Sequence, residues 1–211
     1  MIAKHQRLGV FVDVQNMFYS AKYQYRSKLD FSKLLEHAVQ GRELVRAIAY
    51  LVQTPDIDQS HFITMLQQTG YEVRAKTLRL RPDGTAKGDW DMGIALDTLS
   101  LSDRLDTIVM VTGDGDFVDL VSLLKARGTR VEVLSFPFST AEELKVAASE
   151  FRPIGPGLLL GAPLGLPASG IEDPAAFSSD APGVRQEPGP GISASGSSLG
   201  ASHARPGAET L

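Results

Sequence analysis

Residues 106–118 read DTIVMVTGDGDFV. A strand pattern over 106–113, apolar without a break at 108–111, leads to two aspartates, Asp114 and Asp116, each preceded by glycine. A continuous apolar run of this length is the pattern of a strand covered on both faces. Gly113 and Gly115 let the chain turn tightly at its end, as glycine does. Two carboxylates one residue apart would repel a phosphate. They would attract a metal ion.

Working outward, similar runs recur at 8–14 (LGVFVDV), 44–52 (LVRAIAYLV), 71–81 (YEVRAKTLRLR) and 129–136 (TRVEVLSF). Between them lie segments with helical spacing of apolar residues. In 30–41, Asp30 or Ser32 is a cap and Gly41 a stop. The segment 55–70 ends at Gly70, 116–128 ends at Gly128, and 139–151 has Ser139 or Thr140 as its cap. DWDMGIALDTLSLS also has helical spacing, and Asp89 is taken as its cap. Alternating strands and helices predict an α/β fold, a five-stranded mainly parallel sheet with helices on both faces.

Ligands of such sheets bind outside the carboxyl ends of the strands, where the strand order reverses. Asp13 ends the first strand, and Asn16 follows one short turn later. Asp114 and Asp116 end the fourth. Asp91 opens the helix after the third. These residues are expected to converge in one crevice. Clustered carboxylates raise one another's pKa, and a divalent cation reverses that cost. An all-oxygen set suits Mg²⁺ or Mn²⁺ rather than zinc. The expected metal ligands are Asp13, Asp91, Asp114 and Asp116, with Asn16 completing the catalytic set. Roles for Asp89 and Asp97 stay open.

Such a site suits phosphodiester hydrolysis, which then requires no histidine base. His5, His37, His61 and His203 fall outside every motif. The basic run Arg74, Lys76, Arg79, Arg81 and Lys87 precedes Asp91 and is the expected surface for an RNA backbone. On one continuous strand Arg79 and Arg81 would share a face. Tyr19, Tyr23 and Tyr25 could stack bases, with packing the more ordinary role.

Three blocks, VFVDVQNMFYS, KGDWDMGIALDTLSL and VTGDGDFVDLVSLLKARGTRVEVLSF, together resemble in order and spacing the signature blocks of the NYN domain. This is a branch of the PIN-like nuclease superfamily, and the similarity is greatest to its LabA-like members. The resemblance spans about residues 6–152. It implies a Rossmann-like, PIN-type three-layer sandwich and metal-dependent RNA cleavage, with the family's acids falling on Asp13, Asp91, Asp114 and Asp116 and its asparagine on Asn16. The alternative is a non-catalytic RNA-binding or regulatory module. A phosphatase of the haloacid dehalogenase type would need an acid two residues after Asp13, where Gln15 stands.

The remaining composition sets limits. The chain has 211 residues, 43% hydrophobic and 22% charged, with no cysteine, which removes thiolate metal sites and thiol nucleophiles. The N-terminus lacks a signal-peptide layout and the apolar runs are too short to span a bilayer, so a cytoplasmic location and no membrane partner are expected. The net charge is −4, so attraction for RNA must be local. Residues 153–211 hold 9 of the 12 prolines and 11 of the 20 glycines. A nuclease domain at 1–152 and a largely disordered tail are expected. A second copy of the chain, or a protein docked on the apolar island GLLLGAPLGL, are further candidate partners.

Overall fold

The computed structural model describes residues 5–53, 57–80, 86–87 and 89–161, without the side chains of 79, 80, 86 and 87. Strand β1 (Arg7–Asp13) is the centre of construction. Its side chains alternate between two cores: Leu8, Val10 and Val12 pack into one, Phe11 into the other. Burial on both faces is what its continuous apolar run demands.

Three more segments follow on the first face. They are α1 (Val14–Tyr25), α2 (Phe31–Val39) behind the two-residue strand β2 (Lys28–Leu29), and, after β3 (Glu43–Gln53), α3 (Ser60–Thr69). Asp30 caps α2, its Oδ1 accepting from the Ser32 and Lys33 amides, both at 3.1 Å. Gly70 closes α3 at φ 108°. Strand β4 (Glu72–Thr77) comes next, then the short ladder of β5 (Arg79–Leu80) and β6 (Ala86–Lys87). The second face carries α4 (Asp91–Leu101), α5 (Val118–Ala126) and α6 (Glu142–Ala147). Strands β7 (Thr107–Val111), β8 (Arg130–Ser135), β9 (Glu150–Pro153) and β10 (Leu159–Leu160) complete the set.

The main sheet has the order β4-β3-β1-β7-β8-β9, and every pairing in it is parallel. With helices on both faces this is a three-layer α/β sandwich of Rossmann-like topology. Strand order reverses between β1 and β7. Asp13 and Asp114 therefore leave adjacent strand ends, as the sequence argument requires. No helix among the described residues is long and apolar enough to cross a membrane.

Four expectations are corrected. The sheet has six strands, not five: residues 150–153, expected as the end of a helix over 139–151, form β9. An edge strand needs partners on one side only, so a four-residue segment ending in proline suffices. Its side chains divide between the faces, Phe151 entering the second core and Arg152 reaching buried Glu132. Helix α6 is accordingly short, and its cap is Ala141 rather than Ser139 or Thr140. Thr140 is used instead in a turn, its Oγ1 donating to Phe136 O at 2.6 Å.

The strand expected over 71–81 stops at Thr77, and β5 pairs antiparallel with β6. Arg79 thus does not sit on one continuous strand with Arg74 and Lys76, and Arg81 lies outside the described residues. Helix α4 is preceded by Trp90 as its cap, without a side-chain bond, so Asp89 does not cap it.

The chain also stays with the fold past residue 152. Ile154 is buried in the first core, and β10 pairs with β2, where Ser27 Oγ donates to Leu160 O at 2.8 Å. The apolar island GLLLGAPLGL begins inside the fold; its residues from 162 on, like the rest of the tail, lie outside the described residues.

Candidate metal centre

Asp13 follows Phe11 by two residues, so its side chain belongs to the sheet face that carries α4. It is also the cap of α1, its Oδ1 accepting from the Asn16 amide at 3.0 Å. Burial, together with Asp91 and Asp114 nearby, pushes its carboxyl up to about 6, while the Asn16 and Gln15 amides hold it down. One aspartate thus opens a helix and faces two other acids.

Asp114 leaves β7 through Thr112 and Gly113. Its amide donates to Thr112 Oγ1 at 3.2 Å, and its Oδ1 accepts from the Asp116 amide at 3.0 Å, which starts a single 3₁₀ turn. Gly113 and Gly115 are not among the glycines of positive φ. Space, not left-handed backbone, is what they supply. A Cβ on Gly113 would lie 2.6 Å from Ser139 O, and one on Gly115 3.1 Å from the Ala141 Cβ.

Asp91 is the first residue of α4, and two anchors fix that helix end. Trp90 Nε1 donates to Leu51 O at 2.8 Å, and the Trp90 ring packs against Tyr50 with centroids 5.3 Å apart. Gly93 leaves room for that ring: a Cβ there would stand 2.4 Å from it. Six residues along, Asp97 accepts from Tyr50 Oη at 2.8 Å and pairs with Arg74 at 3.2 Å. Tyr50 and Arg74 are register partners on β3 and β4, so both strands grip the same carboxylate.

Asp91, Asp114 and Asp116 each bring a carboxylate oxygen within 4.8 Å of the others. Among the described residues no lysine or arginine forms an ion pair with any of them. Burial, then Asp89, Asp114 and Asp116, raise the Asp91 pKa against the pull of Lys76. Asp13 is not one of this trio, but it lies close enough to feel the charges of Asp91 and Asp114. The donors are all oxygen, and among the described residues no cationic side chain pairs with them. That combination fits a hard divalent cation.

Asn16 is at the site without being in the cluster. Its Oδ1 accepts from the Gly113 amide at 2.9 Å, bridging β1–α1 to the loop that carries Asp114. Asp97 is not one of the trio and is held instead by Tyr50 and Arg74.

The basic run divides. Arg74 pairs with Glu72 and Asp97, both at 3.2 Å. Lys76 donates to Asp89 O at 3.1 Å, and its ammonium sits 4.0 Å from the Trp90 ring centroid. Arg79 and Lys87 are register partners in β5–β6. Of the tyrosines, Tyr25 packs on Phe136, while Tyr19 and Tyr23 stack on each other. The contributions of Trp90 and Tyr50 escape a reading of the sequence. A hydroxyl inside the apolar run AIAYLV is the one signal that something polar must meet it.

A model of the family described as the NYN domain matches residues 7–155. The chain is 31% identical over 159 residues to the low amplitude and bright protein LabA of Synechococcus elongatus, covering 72% of this chain and 85% of that protein. A crystal structure of a protein of unknown function from Vibrio parahaemolyticus superposes with a TM-score of 0.70 at 36% identity, covering 76% of this chain and 99% of that one. A match over most of the folded region, with three acids gathered at the β1–β7 crevice, gives the assignment: the chain belongs to the NYN domain family, in its LabA-like branch.

Proposed function

We propose that the protein is a metal-dependent ribonuclease that hydrolyses RNA phosphodiester bonds in the β1–β7 crevice. The observation that carries this reading is the trio Asp91, Asp114 and Asp116, drawn within 4.8 Å without a paired cationic side chain among the described residues. Such a cluster opposes folding unless a cation occupies it. Asp13, Asp91, Asp114 and Asp116 would hold Mg²⁺ or Mn²⁺, which when bound supplies Lewis acidity and neutralises charge on the reacting phosphate.

The chain's own residues set the geometry. Asp114 is fixed by its bonds to Thr112 and the Asp116 amide. Asp91 is fixed by the Trp90 anchor, and Asn16 ties the two strand ends together. The phosphate backbone would be met by Lys76 beside Asp91 and by Arg79 and Lys87, opposite each other on the preceding ladder. Arg74, already engaged by two carboxylates, contributes less, and Arg81 follows β5 directly in sequence.

The test is incubation of purified protein with single-stranded and structured RNA in Mn²⁺ and in EDTA. Cleavage that EDTA stops, and that Asp13→Asn or Asp114→Asn abolishes, is expected. Cleavage surviving both substitutions would remove the acids from the chemistry. RNA binding with no cleavage under any metal would leave a regulatory module instead.

A further inference from the structure

The loop between β8 and α6 lies directly against the acid-bearing turn. The Ala141 amide donates to Gly113 O at 3.0 Å, and Ser139 O fills the space where a Cβ on Gly113 would be. The loop is braced along its length. The Ser139 amide and Thr140 Oγ1 both donate to Phe136 O, at 3.2 and 2.6 Å, and Lys145 Nζ donates to Pro137 O at 2.7 Å. Phe136 is fully buried, and its ring packs on Tyr25 at 5.1 Å.

On this fixed loop Phe138 is 86% exposed, more than any other large hydrophobic side chain among the described residues. No ring or cation among the described residues contacts it. Its neighbour Ser139 abuts Gly113, one residue before Asp114. A rigid loop that holds an aromatic ring in water beside the site gains nothing for the fold from that ring. It does pre-organise a flat apolar face for a ligand.

We propose that Phe138 is a base-stacking residue, receiving an unpaired nucleobase of the RNA strand that crosses the crevice. Unpaired bases are recognised by stacking on aromatic side chains, whereas duplex bases already stack on one another. Glu142 and Glu143, in the first turn of α6, disfavour a phosphate on this side. The loop would thus take the base and leave the backbone to Lys76. The substrate is accordingly single-stranded at the cleavage site. The inference rests on the nuclease reading for the identity of the strand.

The experiment measures affinity in EDTA, where nothing is cleaved. Labelled oligouridylate, an abasic ribose-phosphate oligomer of equal length and an RNA duplex are titrated with wild type, Phe138→Ala and Phe138→Trp. Phe138→Ala should weaken oligouridylate binding about tenfold, leave the abasic oligomer unaffected, and be rescued by tryptophan. Duplex should bind wild type more weakly than oligouridylate and show no dependence on Phe138. Equal loss on the base-bearing and abasic strands, no loss on either, or no RNA binding by wild type would overturn the proposal. A protein that binds as expected but cleaves nothing in Mn²⁺ would overturn the nuclease reading alone.

Discussion

Asn16 Oδ1 accepts a hydrogen bond from the Gly113 amide at 2.9 Å, across 97 residues of sequence. The bond joins the first turn of α1, directly after β1, to the loop after β7, so it holds the two halves of the acidic crevice at a fixed separation. Gly113 is buried, and its amide loses this acceptor in Asn16→Ala. Leaving that donor unsatisfied should cost about 1–3 kcal/mol, read as a lower urea midpoint. Mn²⁺ affinity, followed by calorimetry, should fall as well. Asn16→Asp keeps an acceptor but adds a carboxylate to the acidic crevice, so it should recover only part of the stability. Equal stabilities for wild type and Asn16→Ala would show that the bond does not brace the crevice.

Gly113 and Gly115 should answer differently to alanine. At Gly113 the new methyl would meet Ser139 O at 2.6 Å, a backbone atom, so the β8–α6 loop must move. Overpacking of this kind costs about 1–3 kcal/mol, and displacement of Asp114 should remove most RNA cleavage. At Gly115 the nearest atoms are the Ala141 Cβ at 3.1 Å and the end of the Glu143 side chain at 3.3 Å. That contact can relax, so the loss should stay below about 1 kcal/mol. Thermal unfolding of the two variants, with a cleavage assay, ranks them; a milder effect at Gly113 would contradict the packing argument.

The unpaired acids imply opposite effects on stability and activity. Each pair of charges about 4 Å apart repels by about 1 kcal/mol even in water. Asp114 stands in two pairs of the trio, so Asp114→Asn should raise the metal-free unfolding free energy by up to about 2 kcal/mol while abolishing cleavage. For wild type, Mn²⁺ at about a hundred times its dissociation constant should add about 2.7 kcal/mol, and EDTA should remove the gain. Asp114→Asn should show little of this metal-dependent stabilisation. A wild-type melting curve indifferent to Mn²⁺ would count against the centre.

Much of this crevice is legible in the sequence because its parts are fixed by strand ends. Asp13, Asp114 and the start of α4 at Asp91 follow from apolar runs and the reversal rule, without any contact being known. The connection of Asn16 to Gly113 is not legible: its side chain could equally have capped α1, a duty that falls to Asp13. Nor is the reason for Gly113, which is a carbonyl arriving from Ser139, 26 residues later. Arg74 reads as a free cation until Tyr50 and Asp97 are placed beside it. Strand β9 is hidden because an edge strand with one partner carries little pattern of its own, and the helical spacing before it runs on into Phe151. Trp90 gains meaning only from Gly93 and Leu51, one on its own helix and one on a neighbouring strand.

Away from the crevice, a buried ion network fixes how stability should follow pH. Glu132 on β8 is 2% exposed and accepts from Arg42 at 2.8 and 3.0 Å and from Arg152 at 3.1 Å. Arg42 and Arg152 also donate to Ala38 O, and Arg152 to His37 O, so the network sews β8 and β9 to the end of α2. Burial alone would raise the Glu132 pKa, but Arg42, with Arg130 and Arg152, outweighs it and holds the carboxyl below its ordinary 4.5. A carboxyl depressed on folding stabilises the native state above its unfolded pKa and ceases to do so as pH falls through its folded one. Glu132→Gln leaves two buried guanidinium groups without their counter-charge, at a cost of about 3–5 kcal/mol near neutrality. The gap between wild type and Glu132→Gln in urea unfolding should be constant from pH 7 to about 5 and should narrow below 4.5. A gap that instead widened under acid would mean that Glu132 is not held ionised by its arginines.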